Sequence, residues 1–204
     1  MPGYSSWRNT EAYLGTLSPR KGKGTSTRVN EIKYWYEFPL AGEVKPGVGL
    51  WAVFTIYKDT ITEIKYLTDM PLNKILTDFG KPGEICMDAE SAYTIADFAY
   101  YTLALYYPEQ GVMFTIYGEA PRQKVVQICP GESEDGVSGV MLWNPTQTSS
   151  CSELMVRYIG DFQYPPVYNP LEGATGMDIN TFYNTYKDTS NASTCFDWQD
   201  PDWP

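Results

Sequence analysis

Residues 50–67 read Leu-Trp-Ala-Val-Phe-Thr-Ile-Tyr-Lys-Asp-Thr-Ile-Thr-Glu-Ile-Lys-Tyr-Leu. The stretch is rich in β-branched and aromatic side chains, which favour strands. Lys58 and Asp59 divide it after its eighth residue and fit the two-residue turn of a tight hairpin. The sequence therefore predicts an antiparallel hairpin with strands over Leu50–Tyr57 and Thr60–Leu67.

A strand and a helix are predicted on either side of this hairpin. Apolar and polar side chains alternate over Ile32–Phe38, with the period of a strand. Over Leu72–Phe79, apolar residues recur every third or fourth position, which is typical of an amphipathic helix. Asp69 is expected to cap this helix, Pro71 to lie in its first turn and Gly80 to end it. Helices are also predicted over Trp7–Leu14 and Ile179–Lys187, the latter capped by Asp178, and strands over 101–107, 112–117, 125–129, 140–143 and 154–158.

A tetrapeptide repeat relates the two halves of the chain. Phe54–Tyr57 reads Phe-Thr-Ile-Tyr, and the same letters recur over Phe114–Tyr117. In each half, the repeat is preceded by a helix that ends at glycine and by a strand that ends in an aromatic residue and proline. Another apolar strand follows the repeat. Both halves therefore read as helix, strand, strand, strand, which predicts a tandem αβββ duplication. The alternative is two similar hairpins within one sheet.

These elements predict an α+β fold. At 204 residues the chain can form one globular domain with its own core. We expect a first αβββ unit over 1–69, a second over 70–129 and a C-terminal extension over 130–204. The helices are expected to pack on one face of a mainly antiparallel sheet.

Part of the chain resembles small bacterial envelope proteins. The run Leu72–Ile85, with Gly80-Lys81-Pro82 after the helix, resembles a signature of β-lactamase-inhibitor-protein-like domains and of the small lipoproteins of outer-membrane assembly. Leu105–Phe114 is similar to the hairpin that follows in many bacterial lipoproteins. The resemblance extends over residues 7–129 and implies helices on an antiparallel sheet, protein contacts in the cell envelope and no catalytic residue. The chain lacks the lipobox cysteine of such lipoproteins.

Charge disfavours some partners. The net charge is −10, which opposes nucleic acid and anionic membrane surfaces. A basic cluster of Arg20, Lys21, Lys23 and Arg28 is interpreted as a solvated loop. No apolar run is long enough to span a membrane. We expect an extracytoplasmic or envelope-associated protein whose export segment is not part of this sequence, with a cytoplasmic location left open.

Little in the sequence indicates catalysis. The chain has no histidine, which removes the usual general base and the commonest metal ligand. Asp88, Glu90 and Asp97 are the carboxylates that could act as a pair in glycoside hydrolysis. The acidic run at residues 132–135 is interpreted as a solvated loop, because Gly131 stands where a calcium loop needs its first oxygen ligand. We expect no catalytic residue, metal or cofactor.

Four cysteines, Cys86, Cys129, Cys151 and Cys195, are candidates for disulfide bonds. Their spacing does not fit a zinc site, and three pairings are possible. At least one disulfide is expected. Cys151–Cys195 is favoured over Cys86–Cys129, because a bridge there would constrain the irregular extension.

The aromatic side chains give the best functional hypothesis. Alternation places one aromatic set on the sheet face away from the helices, where it could bind a partner. Its members are Trp35, Trp51, Tyr57, Tyr106 and Tyr117, with Met113 beside them. The alternative is that residues after 129 cover most of this face. The favoured function is non-enzymatic binding or scaffolding in the bacterial envelope, with a protein partner; the alternatives are a carbohydrate-binding module and a histidine-free, carboxylate-dependent glycoside hydrolase.

The central helix leads to a packing prediction. Its apolar stripe needs a buried partner, since each exposed Leu or Phe would forgo roughly 1.5–3 kcal/mol. The other sheet face carries the first and third residues of both Phe-Thr-Ile-Tyr copies. We therefore expect the stripe of Leu72, Ile75, Leu76 and Phe79 to pack against Phe54, Ile56, Phe114 and Ile116.

Overall fold

A computed structural model describes residues 1–17, 20–25, 31–39, 49–68, 70–91, 98–121, 123–131, 138–146, 150–159, 168–188 and 193–199. The chain is mixed α+β, which confirms the predicted class. Its helices are α1 (Trp7–Leu14), α2 (Leu72–Phe79), α3 (Cys151–Ile159), α4 (Leu171–Thr175) and α5 (Ile179–Tyr186). Its strands are β1 (Arg20–Thr25), β2 (Glu31–Pro39), β3 (Gly49–Tyr57), β4 (Thr60–Thr68), β5 (Glu84–Ser91), β6 (Phe98–Tyr107), β7 (Val112–Pro121), β8 (Val125–Ile128), β9 (Ser138–Trp143), β10 (Asn169–Pro170) and β11 (Phe196–Gln199).

The chain divides into two compact units. The first consists of residues 1–68, 109–112 and 139–148, and the second of 69–108, 113–138 and 149–204. In the first unit the strand order is β1-β2-β3-β4-β9, and in the second it is β7-β6-β5-β10, with β8 and β11 forming a separate pair. The pairings of β1 with β2, β2 with β3, β3 with β4 and β5 with β6 are antiparallel. The tandem αβββ duplication and the single globular domain remain predictions.

The hairpin predicted over residues 50–67 is confirmed as β3 and β4. Lys58 and Asp59 have φ angles of 47° and 63°, the left-handed values that the central residues of a type I′ turn require. The same turn holds the start of α1. The Asp59 carboxylate accepts a hydrogen bond from the Arg8 N–H at 3.1 Å, and the Asp59 carbonyl accepts one from the Trp7 N–H at 2.7 Å. The turn therefore supplies acceptors for backbone donors that a helix start leaves unpaired.

The core of the first unit lies between α1 and one face of its strands. The buried cluster consists of Trp7, Leu14, Tyr36, Ala52, Phe54, Ile56 and Ile61. The Trp7 ring stacks on Tyr34 with centroids 4.7 Å apart and lies 5.6 Å from Phe54. The prediction that Phe54 and Ile56 pack against the central helix is therefore wrong. Trp7 and Leu14 of α1 belong to the same buried cluster as these two residues, so α1 is the helix that shares their core.

Strand β1 corrects the prediction of a loop at the basic cluster. Arg20–Thr25 pairs along its whole length with Ile32–Glu37 of β2. Glycine and lysine are poor strand formers, so propensity gave no signal here. Lysines and glycines nevertheless alternate over residues 21–24, which is a strand period. Arg28 lies outside the described residues.

Helix α2 forms over Leu72–Phe79 as predicted, although its cap differs. Pro71 is the N-cap residue instead of part of the first turn, and it supplies no side-chain hydrogen bond. Asp69 lies outside the described residues. Leu72, Ile75 and Leu76 are buried, and the half-buried Phe79 ring meets the Phe114 ring edge-on at 4.7 Å. The predicted contact between the helix stripe and the second copy of the tetrapeptide is therefore confirmed at Phe114.

Helix α3 replaces the strand predicted over residues 154–158. Cys151, Leu154 and Met155 are buried at helical spacing, whereas Val156 is exposed. Ser150 and Glu153 form a capping box. The Ser150 hydroxyl accepts from the Glu153 N–H at 3.2 Å, and the Glu153 carboxylate accepts from the Ser150 N–H at 3.0 Å. These reciprocal bonds start a helix where the short apolar run alone suggested a strand.

Helix α3 also lies on a different face of its strands from α2. A disulfide joins Cys151 to Cys86, whose cross-strand neighbour is Ala104. Phe79 of α2 contacts Tyr107, three residues further along the same strand. Residues an odd number of positions apart point to opposite faces of a strand. The prediction that the helices lie on one face therefore does not hold for α3.

Two disulfides are present, which confirms the prediction of at least one. Cys86 bonds to Cys151, and Cys129 bonds to Cys195. The predicted Cys151–Cys195 and Cys86–Cys129 pairings are wrong. Cys151 lies on α3 against β5, and Cys195 immediately precedes β11, which pairs with β8 ahead of Cys129. Each disulfide therefore joins two elements that are neighbours in the fold, and the spacing of the cysteines in the sequence does not reveal which elements these are.

Helix α5 confirms the predicted C-terminal helix and its cap. The Asp178 carboxylate accepts from the backbone N–H groups of Asn180 at 2.8 Å and Thr181 at 3.0 Å. Its buried residues, Phe182 and Tyr186, face inward, with the Phe182 ring 6.4 Å from that of Phe196. The last described strand is thus held by both ring packing and a disulfide.

Candidate aromatic binding surface

The two tryptophans predicted on the outer sheet face of the first unit lie side by side. Trp35 pairs across the strands with Val53, and Trp51 with Glu37, so both rings are on the face opposite Tyr34, Phe54 and α1. Their ring centroids are 5.3 Å apart and their planes are tilted by 42°. Trp51 keeps 36% of its surface exposed, and Trp35 is half-buried. We call this pair the indole surface.

A glycine of β1 makes room for the indole surface. A Cβ atom built on Gly22 would lie 1.8 Å from Cε2 and 2.0 Å from Cζ2 of Trp35. The indole therefore lies across the backbone of β1, in the space that a side chain at Gly22 would fill. At Gly24, two residues along the same face, the nearest atom to such a Cβ is the Lys33 carbonyl oxygen at 4.0 Å. The sequence alone did not identify Gly22 as part of the site, although its alternation with lysine places it on the tryptophan side.

Charged side chains of both signs border the indole surface. Lys33 and Glu37 lie on β2, and Lys65 of β4 pairs with Val53, so all three share the tryptophan face. Each is half-buried. A pair of indoles within a polar border resembles the centre and rim of a recognition surface.

Further along the sheet, residues on the same face are buried. Thr55 is 1% exposed and Glu63, its cross-strand neighbour, is 3% exposed. The exposed described aromatic residues of this face therefore lie at its two ends, with Trp51 at one and Tyr57 at the other. Tyr57 is 37% exposed at the other end of β3, about 20 Å from Trp51 by strand rise, with the Lys58 ammonium 5.1 Å from the centre of its ring.

Two residues of the second unit that were predicted on this face are buried, unlike Trp51 and Tyr57. Tyr106 is 7% exposed, and Met113 is fully buried. Tyr106 pairs with Glu84, whose carboxylate accepts a hydrogen bond from the first N–H of α3 at 3.3 Å. Burial raises the pKa of Tyr106, and the nearby carboxylates of Glu84 and Glu153 raise it further. Tyr106 therefore lies under α3, in agreement with the alternative that residues after 129 cover this part.

Tyr117, the other predicted member from the second unit, is half-buried in β7. Its ring is therefore less accessible than that of Trp51 or Tyr57. Of the five predicted aromatic residues, the structure brings Trp35 and Trp51 together and leaves Tyr57 apart from them.

Of the three carboxylates considered for catalysis, only Asp88 has a described side chain. Asp88 lies half-buried in β5 opposite Thr102. The Glu90 side chain, Asp97 and the acidic run at 132–135 lie outside the described residues. Within the described ranges, no three His, Cys, Asp or Glu side chains are grouped so as to hold a metal ion. No helix of the described part is both long and apolar enough to cross a membrane.

Comparisons with known proteins define no family for the chain. No family model matches it, and neither a curated protein nor a solved structure shows significant similarity. The class that the fold and the site define is therefore a disulfide-bonded α+β protein with a paired-indole surface.

Proposed function

We propose that this chain is a non-enzymatic binding or scaffolding protein that recognises a protein partner through the indole surface. The observation that carries the proposal is the Trp35–Trp51 pair, held 5.3 Å apart on an outer sheet face with Trp51 36% exposed. An exposed indole retains unfavourable hydration that a partner would relieve. Tryptophan is also among the residues that most often dominate the energy of protein interfaces.

The arrangement of the surface supports recognition more than core packing. Trp35 is held in place by the backbone of β1 at Gly22, so little side-chain entropy remains to be lost on binding. The charges of Lys33 and Glu37 beside the pair can select a complementary partner. These features favour a preorganised contact surface.

An extracytoplasmic setting is part of the proposal. Two disulfides support it, because such bonds persist in oxidising compartments and are rare in the cytosol. The resemblance of residues 7–129 to envelope repeats favours the bacterial envelope in particular. The tandem αβββ duplication is also part of the proposal and is supported by the repeated tetrapeptide, whose two copies lie in β3 and β7.

The test is affinity capture from an envelope extract of the native source, using the disulfide-bonded chain. Trp51→Ala should remove a specific captured protein that the unchanged chain retains. Tyr13→Ala is the matched control, since Tyr13 is a 64% exposed aromatic on α1. Equal capture by the Trp51 variant and the unchanged chain would refute the role of the indole surface.

Carbohydrate binding is the second candidate. The apolar face of a sugar ring can pack on an indole, while Lys33 and Glu37 could donate to and accept from its hydroxyl groups. The tilt of 42° between the two rings allows one sugar to contact both and does not form a flat row. Binding of the chain to an array of bacterial glycans, lost in Trp51→Ala and kept in Tyr13→Ala, would favour this candidate over a protein partner.

A further inference from the structure

Strand β1 is the outermost described strand of the first unit. It pairs with β2 on one side, and no described strand of that unit pairs with its other side. An edge of this kind presents backbone N–H and C=O groups to which another strand can bind. The edge strand of the second unit differs, since β10 is two residues long and ends in Pro170, which has no N–H.

The two faces of β1 carry different chemistry. Lys21 and Lys23 point toward the α1 face, where their ammonium groups lie 4.5 Å and 5.8 Å from the centre of the Tyr34 ring. Gly22 and Gly24 lie on the tryptophan face. Lys21 is already paired with Glu11, whereas Lys23 is exposed and forms no ion pair with a described carboxylate. A basic edge is distinctive in a chain whose net charge is −10.

The tryptophan face of β1 has room for side chains of a neighbouring strand. The Trp35 indole occupies the space above Gly22 and therefore reaches from β2 to the outer strand. Among the described residues, a Cβ added at Gly24 would meet only the Lys33 carbonyl oxygen, at 4.0 Å. An apolar side chain on an added strand would lie beside the indole, about 5 Å from β1 in the strand-pairing direction.

We propose that the edge of β1 binds an extended segment of a partner protein in which acidic and apolar residues alternate. Backbone hydrogen bonds would supply affinity, as in other cases of strand addition. The acidic residues would face Lys23, and the apolar residues would face Gly24 and the Trp35 indole. Lysines on an edge discourage pairing with neutral strands, so the same residues would make the edge selective for acidic ones.

This inference rests on the proposed function and deepens it by naming a class of partner. The two proposals share one residue, Trp35. It does not require Trp51. A strand can bind the edge whether or not Trp51 contributes, so loss of Trp51 separates the two proposals.

The experiment uses the full disulfide-bonded chain and a fluorescent peptide of alternating glutamate and valine. A peptide of the same composition with its glutamates and valines in two blocks is the ligand control. Binding is measured by fluorescence anisotropy, and backbone pairing by amide hydrogen exchange over Arg20–Thr25. Lys23→Glu is compared with Lys124→Glu, which makes the same charge change at an exposed residue of the second unit.

We expect the alternating peptide to bind more tightly than the block peptide and to slow exchange over Arg20–Thr25. Lys23→Glu should weaken binding by about tenfold, because the surface attraction between Lys23 and the acidic peptide becomes a repulsion, while Lys124→Glu should leave it nearly unchanged. Lys23→Gln, which removes charge without adding repulsion, should give an intermediate affinity. Trp51→Ala should retain the peptide.

Unchanged exchange over Arg20–Thr25 would overturn the proposal, as would equal binding of the two peptides or equal effects of the two charge reversals. Peptide binding without Trp51-dependent capture from the extract would support the edge site and refute the proposed function. Trp51-dependent capture without peptide binding would refute the edge site and leave the proposed function standing.

Discussion

The contact between Gly22 and Trp35 predicts an unusual response to a single added methyl group. A Cβ at Gly22 would lie 1.8–2.1 Å from three atoms of the Trp35 indole, so Gly22→Ala must displace the ring. Overpacking of this kind costs about 1–3 kcal/mol. Replacing glycine also restricts the unfolded chain, which offsets about 0.4–1 kcal/mol. We expect a net loss of about 1–2 kcal/mol in the free energy of unfolding.

Two further variants isolate the cause of this loss. In a Trp35→Ala background the clash is absent, so Gly22→Ala should be neutral or stabilise by about 0.4–1 kcal/mol. The coupling energy between the two substitutions then equals the clash, about 1–3 kcal/mol. Gly24→Ala is the matched control, because its Cβ would meet one backbone atom at 4.0 Å, and it should not destabilise in either background.

The assay is urea denaturation followed by circular dichroism, with both disulfides intact, since a fluorescence signal would itself change when Trp35 is removed. The reasoning is refuted if the loss caused by Gly22→Ala persists in the Trp35→Ala background. It is also refuted if Gly24→Ala destabilises as much as Gly22→Ala, since a general intolerance of β1 to side chains would then explain both.

Three other predictions concern the second unit. Leu76→Ala should lower the free energy of unfolding by about 2–5 kcal/mol in denaturant titration because Leu76 is fully buried, whereas Lys74→Ala, which removes an exposed ion pair, should change it by less than about 0.5 kcal/mol. Hydrogen bonds from Thr181 lower the pKa of Asp178. The stability that Asp178 contributes is therefore fully present above its ordinary pKa of 3.8 and is lost as the pH falls through the lowered pKa. Asp178→Asn should make the free energy of unfolding less dependent on pH in this acid range, and an unchanged dependence would contradict the cap. Under mild reductant, mass spectrometry should detect free thiols from the partly exposed Cys129–Cys195 bridge before those from Cys86–Cys151, whose residues are at most 1% exposed. Reduction of the two bridges in the reverse order would contradict this difference in burial.

Elements specified by local signals could be predicted from the sequence. The hairpin over residues 50–67 has two dense strand runs around a two-residue turn, and α2 has an apolar stripe followed by Gly80. Asp178 was recognisable as a cap because its side-chain oxygen can reach the first free N–H groups of a helix. Each of these signals lies within a few residues of the structure that it specifies.

Elements that depend on distant partners could not be predicted in the same way. Strand β1 owes its conformation to pairing with β2, since its glycines and lysines have little preference for strands. The disulfide partners lie 65 and 66 residues apart, a separation that carries no information about pairing. Helix α3 is different, because the capping box of Ser150 and Glu153 is a local signal for a helix start. The short apolar run that follows it favoured the prediction of a strand instead.

The candidate site shows the same division. Alternation placed Trp35 and Trp51 on one face, and their pairing in the structure follows from the register of β2 and β3. Alternation also selected Tyr106, which α3 buries, because strand periodicity identifies a face and not what covers it. Gly22 was missed because its role depends on a ring that reaches it from the neighbouring strand.

The most direct test of the indole surface is site-specific photocrosslinking in cells of the native source. A photoreactive phenylalanine analogue replaces Lys33 in one version of the chain and Tyr13 in another; Lys33 shares the tryptophan face, so both indoles stay in place. A discrete crosslinked product from position 33, absent from position 13 and lost when Trp51→Ala is added, is the result that recognition through the indole surface predicts. No product at position 33, or a product there that persists in Trp51→Ala, would contradict it.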